Sequence, residues 1–228
     1  MKYIALSSLF ILGLLGLSYV QIGASLTEKN DFIQQKETKV LVTTDYGNII
    51  LKLYNETPKH RDNFIKLANE KFYDGLLFHR VMENFMIQGG DPDSKWAEPG
   101  DILGNGGPGY TVPSEFHPNL FHKRGALAAA RTNNPEKASS GSQFYIVQGR
   151  KFSDLELGGM EARMGITYPE AHKKVYQSIG GYPSLDQNYT VFGEVLEGMD
   201  VVERIATLEK DRSNRPNKDV AMTVKILD

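Results

Sequence analysis

From residue 39 onward the chain is a succession of short runs rich in β-branched, aromatic and alternating apolar residues. Each is stopped by glycine, proline, asparagine or aspartate. The runs at 39–44, 49–53, 77–81, 85–88, 142–147, 190–195 and 220–227, and the small apolar run 125–130, have the length of strands rather than helices. Between the first two, Asp45-Tyr46-Gly47-Asn48 has the form of a hairpin turn, with Gly47 able to take positive φ. Two stretches read as helices. One starts at Thr57-Pro58, with Thr57 as cap and Pro58 in the first turn, and runs to about Asn69. Its buried face is Phe64, Leu67 and Ala68. The other covers 200–205, after a turn at Gly198. Many short strands with few helices predict a mainly β domain. Its antiparallel sheet should be closed or nearly so, with the helices over its openings.

At 228 residues with a net charge of −2, the chain suits one domain with a sizeable core and no large basic surface. Nucleic acid is therefore not an expected partner. The absence of cysteine excludes disulfides, thiolate nucleophiles and thiolate metal sites, and leaves the redox compartment open. The first residues address location instead. Lys2 precedes an apolar run from Ile4 to Ile22, followed by Gly23-Ala24-Ser25 and then polar residues. Residues 1–24 are expected to be a secretory signal cut near Ala24, or an uncut anchor about 19 residues long; a buried N-terminal helix is the plainer alternative. Signal or anchor puts the domain outside the cytoplasm, with cleavage favoured. Residues 25–37 are polar and read as a linker to a domain at 38–228.

Two segments break the strand rhythm. Residues 92–113, rich in glycine, proline and acidic side chains, form an irregular excursion that side chains must pin, Trp96 among them. Residues 149–183 carry charges, Gly158-Gly159 and a candidate helix at 169–177. This segment is expected to be an insertion between two strands, too short to own a core.

The stretch FHRVMENFMIQGGD, residues 78–91, gathers an arginine, a phenylalanine, a methionine and a glutamine without a nucleophile or a metal-ligand set. That composition suits a fixed cation beside an apolar pocket, able to handle a backbone amide. Together with GSQFYI (141–146) and LDQNYTVFG (185–193), it resembles the cyclophilin family of peptidyl-prolyl cis-trans isomerases. Ser114-Glu115-Phe116, Gly125-Ala126-Leu127-Ala128 and the terminal strand agree in order and spacing, so the resemblance covers roughly 38–227. It implies a closed eight-stranded antiparallel barrel capped by two helices, here with an inserted, partly helical segment.

The resemblance further implies catalysed rotation about X-Pro peptide bonds, whose barrier is about 18–20 kcal/mol. A catalyst must bind the twisted amide better than either planar form. By family position Arg80 donates to the prolyl nitrogen, which gains a lone pair only when the amide twists. Arginine suits this because its donors are rigidly arranged and its charge is permanent. Gln88 would bind substrate backbone and orient Arg80. Phe85, Met86, Leu185 and Tyr145 would wall the proline pocket, although alternation alone does not separate a pocket wall from a core position. Tyr145 stands where phenylalanine is usual, and its hydroxyl is expected to reach solvent or a polar partner. Ala129, Ala130 and Arg131 resemble the strip that receives substrate backbone, with Arg131 and Thr132 replacing asparagine and alanine. Gln143 is a further groove residue. Tyr189 replaces a histidine of many eukaryotic members, and Ser184 replaces a tryptophan that helps to bind cyclosporin, so cyclosporin binding should be weak.

No cofactor or metal is expected. GNGGPG (104–109) lacks the Lys-Ser/Thr pair of a phosphate loop, and His60, His117, His122 and His172 lack ligand spacing. His79 reads as a packed histidine, and Asp91-Pro92-Asp93 as a solvated turn. The expected partners are proline-containing, unfolded or flexible protein segments. The departures at Ser184 and Tyr189 and the insertion upstream indicate a bacterial subgroup, and the N-terminal run an exported one, so an isomerase in the periplasm that assists protein folding is expected. A monomer is expected, with membrane contact only through an uncut N-terminal segment. The competing function is a proline-segment binding module or chaperone that uses the same groove, or the insertion, with little turnover.

Overall fold

The computed structural model describes residues 37–227. The expected signal or anchor, and nearly all of the linker, lie outside the described residues. Among the described residues no helix is long and apolar enough to cross a membrane.

In chain order the elements are β1 (Lys39–Thr44), β2 (Gly47–Leu53), α1 (Pro58–Asn69), β3 (Arg80–Met82), β4 (Met86–Gly89), β5 (Thr111–Val112), β6 (Ala126–Ala129), β7 (Ser139–Ser140) and β8 (Phe144–Val147). Then follow α2 (Asp154–Met164), α3 (Glu170–Ser178), β9 (Val191–Glu197), α4 (Met199–Ala206) and β10 (Met222–Leu227). Eight strands form one antiparallel sheet in the order β10-β1-β2-β9-β6-β8-β4-β3, and β5 pairs with β7 as a separate ribbon.

The expected closed barrel needs correction. The sheet curls but stays open, with β3 and β10 as its two ends. β3 is only three residues long and pairs with β4 alone. The chain just before it reaches across instead. Phe78 N–H donates to the Val220 carbonyl and Met222 N–H to the Leu76 carbonyl, both at 2.9 Å, around a single bridge between Leu77 and Ala221. These bonds cover the seam without making a ladder.

The described residues hold four α-helices rather than two capping ones and a single helix in the insertion. α1 and α4 bury Phe64, Leu67 and Ala68, and Val201, Val202, Ile205 and Ala206, against the sheet's concave core. Phe64, Tyr73, Phe144 and Phe192 meet there, with ring centres 4.9–5.6 Å apart. Thr57 does not cap α1 with its side chain. Glu115, from a distant loop, accepts the free amides of Lys59 and His60 at 3.0 and 2.9 Å. A carboxylate at a helix N-terminus satisfies two orphan donors at once.

The insertion holds two helices, α2 and α3. Gly158-Gly159 does not break α2, which Ser153 and Glu156 start with a reciprocal capping box. Phe152, Leu157, Tyr168 and Tyr176 form a small buried cluster between the helices, so the segment does own a core of modest size. Trp96 does not pin the excursion, since it is 85% exposed. Arg215 does so instead, donating to the Glu98 and Ala97 carbonyls at 2.8 and 3.1 Å. Asp219 accepts from the same guanidinium at 2.9 Å.

Candidate active site

β4, β6 and β8 are buried on both faces, and residue parity decides which face each side chain joins. Ile87, Leu127, Ala129, Phe144 and Ile146 enter the concave core. Met86, Ala126, Ala128, Tyr145 and Val147 enter a second cluster on the opposite face, with Phe85, Leu185 and Tyr189 against it. Register then builds the site. Arg80 on β3 lies opposite Gln88 on β4, Gln88 opposite Tyr145 on β8, and Tyr145 opposite Ala128 on β6. Directly opposed residues share a face, so one rung presents the cation, the amide and the phenol side by side.

A groove of about 320 Å³ opens over this rung. Arg80, Phe85, Met86, Gln88, Ala130, Arg131, Tyr145, Leu185 and Tyr189 line it, together with His79, Leu103, Gly104, Asn105, Ser213 and Arg215. Gln143 lines an adjoining groove that it shares with Gln88, Ala130 and Arg131. Of the residues singled out in the sequence, Ala129 stands apart, because its side chain belongs to the concave core. Its backbone N–H donates to the Thr190 carbonyl at 2.9 Å. Ser184 sits in a short helical turn, Pro183–Leu185, next in the chain to the groove residue Leu185.

The guanidinium of Arg80 is held from two sides. One nitrogen donates to Gln88 Oε1 at 3.1 Å and another to Met82 Sδ at 3.3 Å. It lies 5.7 Å from the centre of the Phe85 ring, within cation–π range. Gln88 Nε2 donates to Gln143 Oε1 at 3.0 Å. Gln143 Nε2 in turn donates to the Gly104 and Gly106 carbonyls at 3.0 and 2.8 Å. The line of amides thus anchors the arginine to the irregular excursion. Asp91 secures the other side of that excursion: its buried carboxylate accepts the amides of Asp93 and Gly104.

On the apolar side, Phe85 packs on Tyr182 with ring centres 4.2 Å apart. Tyr145 and Tyr189 meet edge to face at 6.0 Å. Arg131 lies 4.8 Å over the Tyr189 ring and donates to the Asn188 carbonyl at 2.8 Å. The Tyr145 hydroxyl finds a buried partner, His122 Nε2, at 2.9 Å. Burial pushes its phenol well above the usual range, so it stays protonated.

Sequence reasoning missed Tyr182, His122 and Arg215. His122 meets Tyr145 across 23 residues and Asp186 across 64. No local spacing signals pairs so distant. The structure also assembles Ser139, His60 and Glu115 in hydrolase-like order, with contacts of 3.0 and 2.7 Å. Ser139 and His60 are 1% and 3% exposed, so no substrate reaches them; the trio ties α1 to the Glu115 loop and to β7. Among the described residues no group of histidine and acidic side chains could hold a metal ion.

Known proteins resemble this chain in sequence and in shape. A curated Staphylococcus aureus (strain USA300) protein, named "Putative peptidyl-prolyl cis-trans isomerase", is 36% identical over 205 residues, spanning 87% of this chain and 96% of that protein. A Streptococcus pyogenes protein named "Putative bifunctional phosphatase/peptidyl-prolyl cis-trans isomerase" is 36% identical over 198 residues, covering 83% of this chain and 39% of that longer protein. The crystal structure of a Cryptosporidium parvum cyclophilin-type isomerase shares the fold, with a TM-score of 0.64 at 23% identity, covering 85% of this chain and 99% of that one. The family model described as "Cyclophilin type peptidyl-prolyl cis-trans isomerase/CLD" matches residues 39–226. The chain belongs to the cyclophilin-type peptidyl-prolyl cis-trans isomerase family of enzymes.

Proposed function

We propose that the groove binds X-Pro segments of unfolded or flexible proteins and speeds their isomerisation by non-covalent stabilisation of the twisted amide. The observation that carries this reading is a guanidinium held by Gln88 and Met82 at the edge of an apolar slot. A proline ring seated against Phe85, Met86, Leu185 and Tyr145 would put its nitrogen within reach of Arg80. A planar amide nitrogen has no free lone pair, so that contact grows only as the bond twists. Pre-held donors need no rearrangement at the moment of rotation. Gln143, Ala130 and the Arg131 backbone would take the substrate main chain, and Tyr189 would close the pocket. Folding assistance outside the cytoplasm is the physiological role that accords with the apolar N-terminal run.

NMR exchange on a short Ala-Pro-Phe peptide, with the full chain and its Arg80→Ala variant, tests the mechanism. The parent should accelerate exchange, and the variant should lose about 100- to 1000-fold in kcat/KM. A folded variant that keeps parental turnover would sink the role given to Arg80. Persistent peptide binding without turnover by the parent would favour the holding function instead. Cyclosporin should bind weakly, because Ser184 lacks the indole donor and area; tight binding in a calorimetric titration would contradict that.

A further inference from the structure

The insertion touches the proline pocket at two places. Tyr182, at its exit, packs on Phe85. The second contact is polar and partly buried. Tyr176, on α3, donates its phenolic hydrogen to Asp186 Oδ2 at 2.6 Å. Asp186 Oδ1 accepts from the backbone N–H of His122 and stands 2.9 Å from His122 Nδ1. A carboxylate oxygen accepts, so an imidazole hydrogen belongs on Nδ1, and in the neutral ring Nε2 is then left as an acceptor. The Tyr145 hydroxyl, 2.9 Å away, is placed to donate to Nε2 in that tautomer.

Each link requires the next. A tyrosine on the pocket wall brings a buried hydroxyl that is costly if unmatched. His122 matches it in one tautomer, and Asp186 selects that tautomer. Tyr176 matches the second carboxylate oxygen. Tyr176 and His122 are fully buried, Tyr145 is 4% exposed and the Asp186 side chain 9%, so little water reaches the relay. Burial, with the Asp186 charge adding to it, also pushes the Tyr176 phenol up, keeping it a donor. Asp186 directly follows Leu185, a wall of the pocket, so a carboxylate held in place also anchors the chain next to that wall. The backbone reinforces the link: Tyr182 N–H donates to the His122 carbonyl at 2.8 Å. Gly181 lies so close that a Cβ there would collide with that same carbonyl oxygen.

We propose that Tyr176 is a positioning residue of the isomerase: through Asp186 and His122 it holds Tyr145 and Leu185, so helix α3 of the insertion sets the shape of the proline pocket. This rests on the isomerase reading above.

A double-mutant cycle on the full chain tests it. Tyr176→Phe removes one hydroxyl and keeps the ring. It should lower kcat/KM for the Ala-Pro-Phe peptide about 5- to 10-fold, with a weaker peptide Kd. Tyr145→Phe removes the hydroxyl that the network serves and sets its own baseline. Adding Tyr176→Phe to it should then change kcat/KM by less than about twofold. Equal losses in both backgrounds, or no loss in the parent, overturn the proposal. Histidine-ring nitrogen NMR supplies an independent readout: His122 should carry its hydrogen on Nδ1, and an Nε2-protonated ring overturns the assigned relay. A parent without peptide exchange marks failure of the isomerase reading alone. The Kd values from the same titrations still decide whether Tyr176 and Tyr145 are coupled.

Discussion

Arg80 is fixed by partners that are themselves fixed, and that relay exposes Gln143 as a second point of control. Gln143 uses every polar atom of its amide, accepting from Gln88 and donating to two carbonyls of the excursion. In a Gln143→Ala variant, the Gln88 amide and both glycine carbonyls lose their partner. Leaving such groups unmatched costs about 1–3 kcal/mol. Urea unfolding should show that loss, and peptide turnover should fall about tenfold as Gln88 and Arg80 loosen. Unchanged turnover would mean that Arg80 is held sufficiently by Met82 and the Gln88 oxygen. The Tyr145 hydroxyl makes the same point about single residues. Its presence could be read from the sequence, but its partner, buried on another segment, could not.

At the scale of elements, α1 shows how a local signal can be displaced. Thr57-Pro58 marks the start of the helix correctly, yet the Thr57 hydroxyl approaches the Tyr54 carbonyl at 3.5 Å rather than capping. Glu115 does the capping and also engages His60, which reaches Ser139. Glu115→Ala should therefore cost more than an ordinary cap, about 2–3 kcal/mol, because a buried histidine loses its partner as well. Thr57→Ala should be milder. Thermal unfolding of the two variants checks the order, and the reverse ranking would restore Thr57 as the cap. The insertion teaches a related lesson. Gly158-Gly159 has low helix propensity, but those glycines are exposed and the reciprocal Ser153–Glu156 cap offsets their cost. The small cluster of Phe152, Leu157, Tyr168 and Tyr176 forms between elements, so neither helix announced it alone.

For the whole molecule, buried histidines set how stability varies with acidity. Burial lowers His79 from the usual 6.5 to about 4, against a weak opposing contact with the Leu77 backbone that falls short of good hydrogen-bond geometry. Burial also lowers His60 and His172. The unfolded chain takes up protons that the folded one refuses, so stability falls as pH drops below about 6.5 and the His79 share levels off near 4. That share is about 3 kcal/mol. Glu156, brought down to about 2 chiefly by the Ser153 amide and hydroxyl, acts in a separate window, losing its contribution between about 4.5 and 2. Urea midpoints measured from pH 7.5 to 4 should decline, and His79→Gln should flatten the slope. A parental slope in that variant would exclude His79 as its source.

The order of the sheet's eight strands, helices α1 and α4 and the irregular excursion were legible in the sequence, whereas α2 and the β5–β7 ribbon were not, and the groove residues were proposed from the family resemblance. The legible elements follow from turn chemistry and short-range periodicity, and the resemblance from a long motif carried by neighbouring positions. Three things were decided only in the fold. The first is closure: β3 is too short to complete a ladder with β10, so the sheet remains open where a barrel was expected. The second is facing: on strands buried on both sides, apolar residues of either parity look alike, and only packing sends Ala129 to the core and Tyr145 to the groove. The third is the set of polar partners that hold the site, His122, Asp186 and Tyr176 behind Tyr145, and Arg215 behind the excursion. These contacts depend on segments far apart in the chain, and hydrogen bonds between such segments leave no periodic trace in the residues that make them.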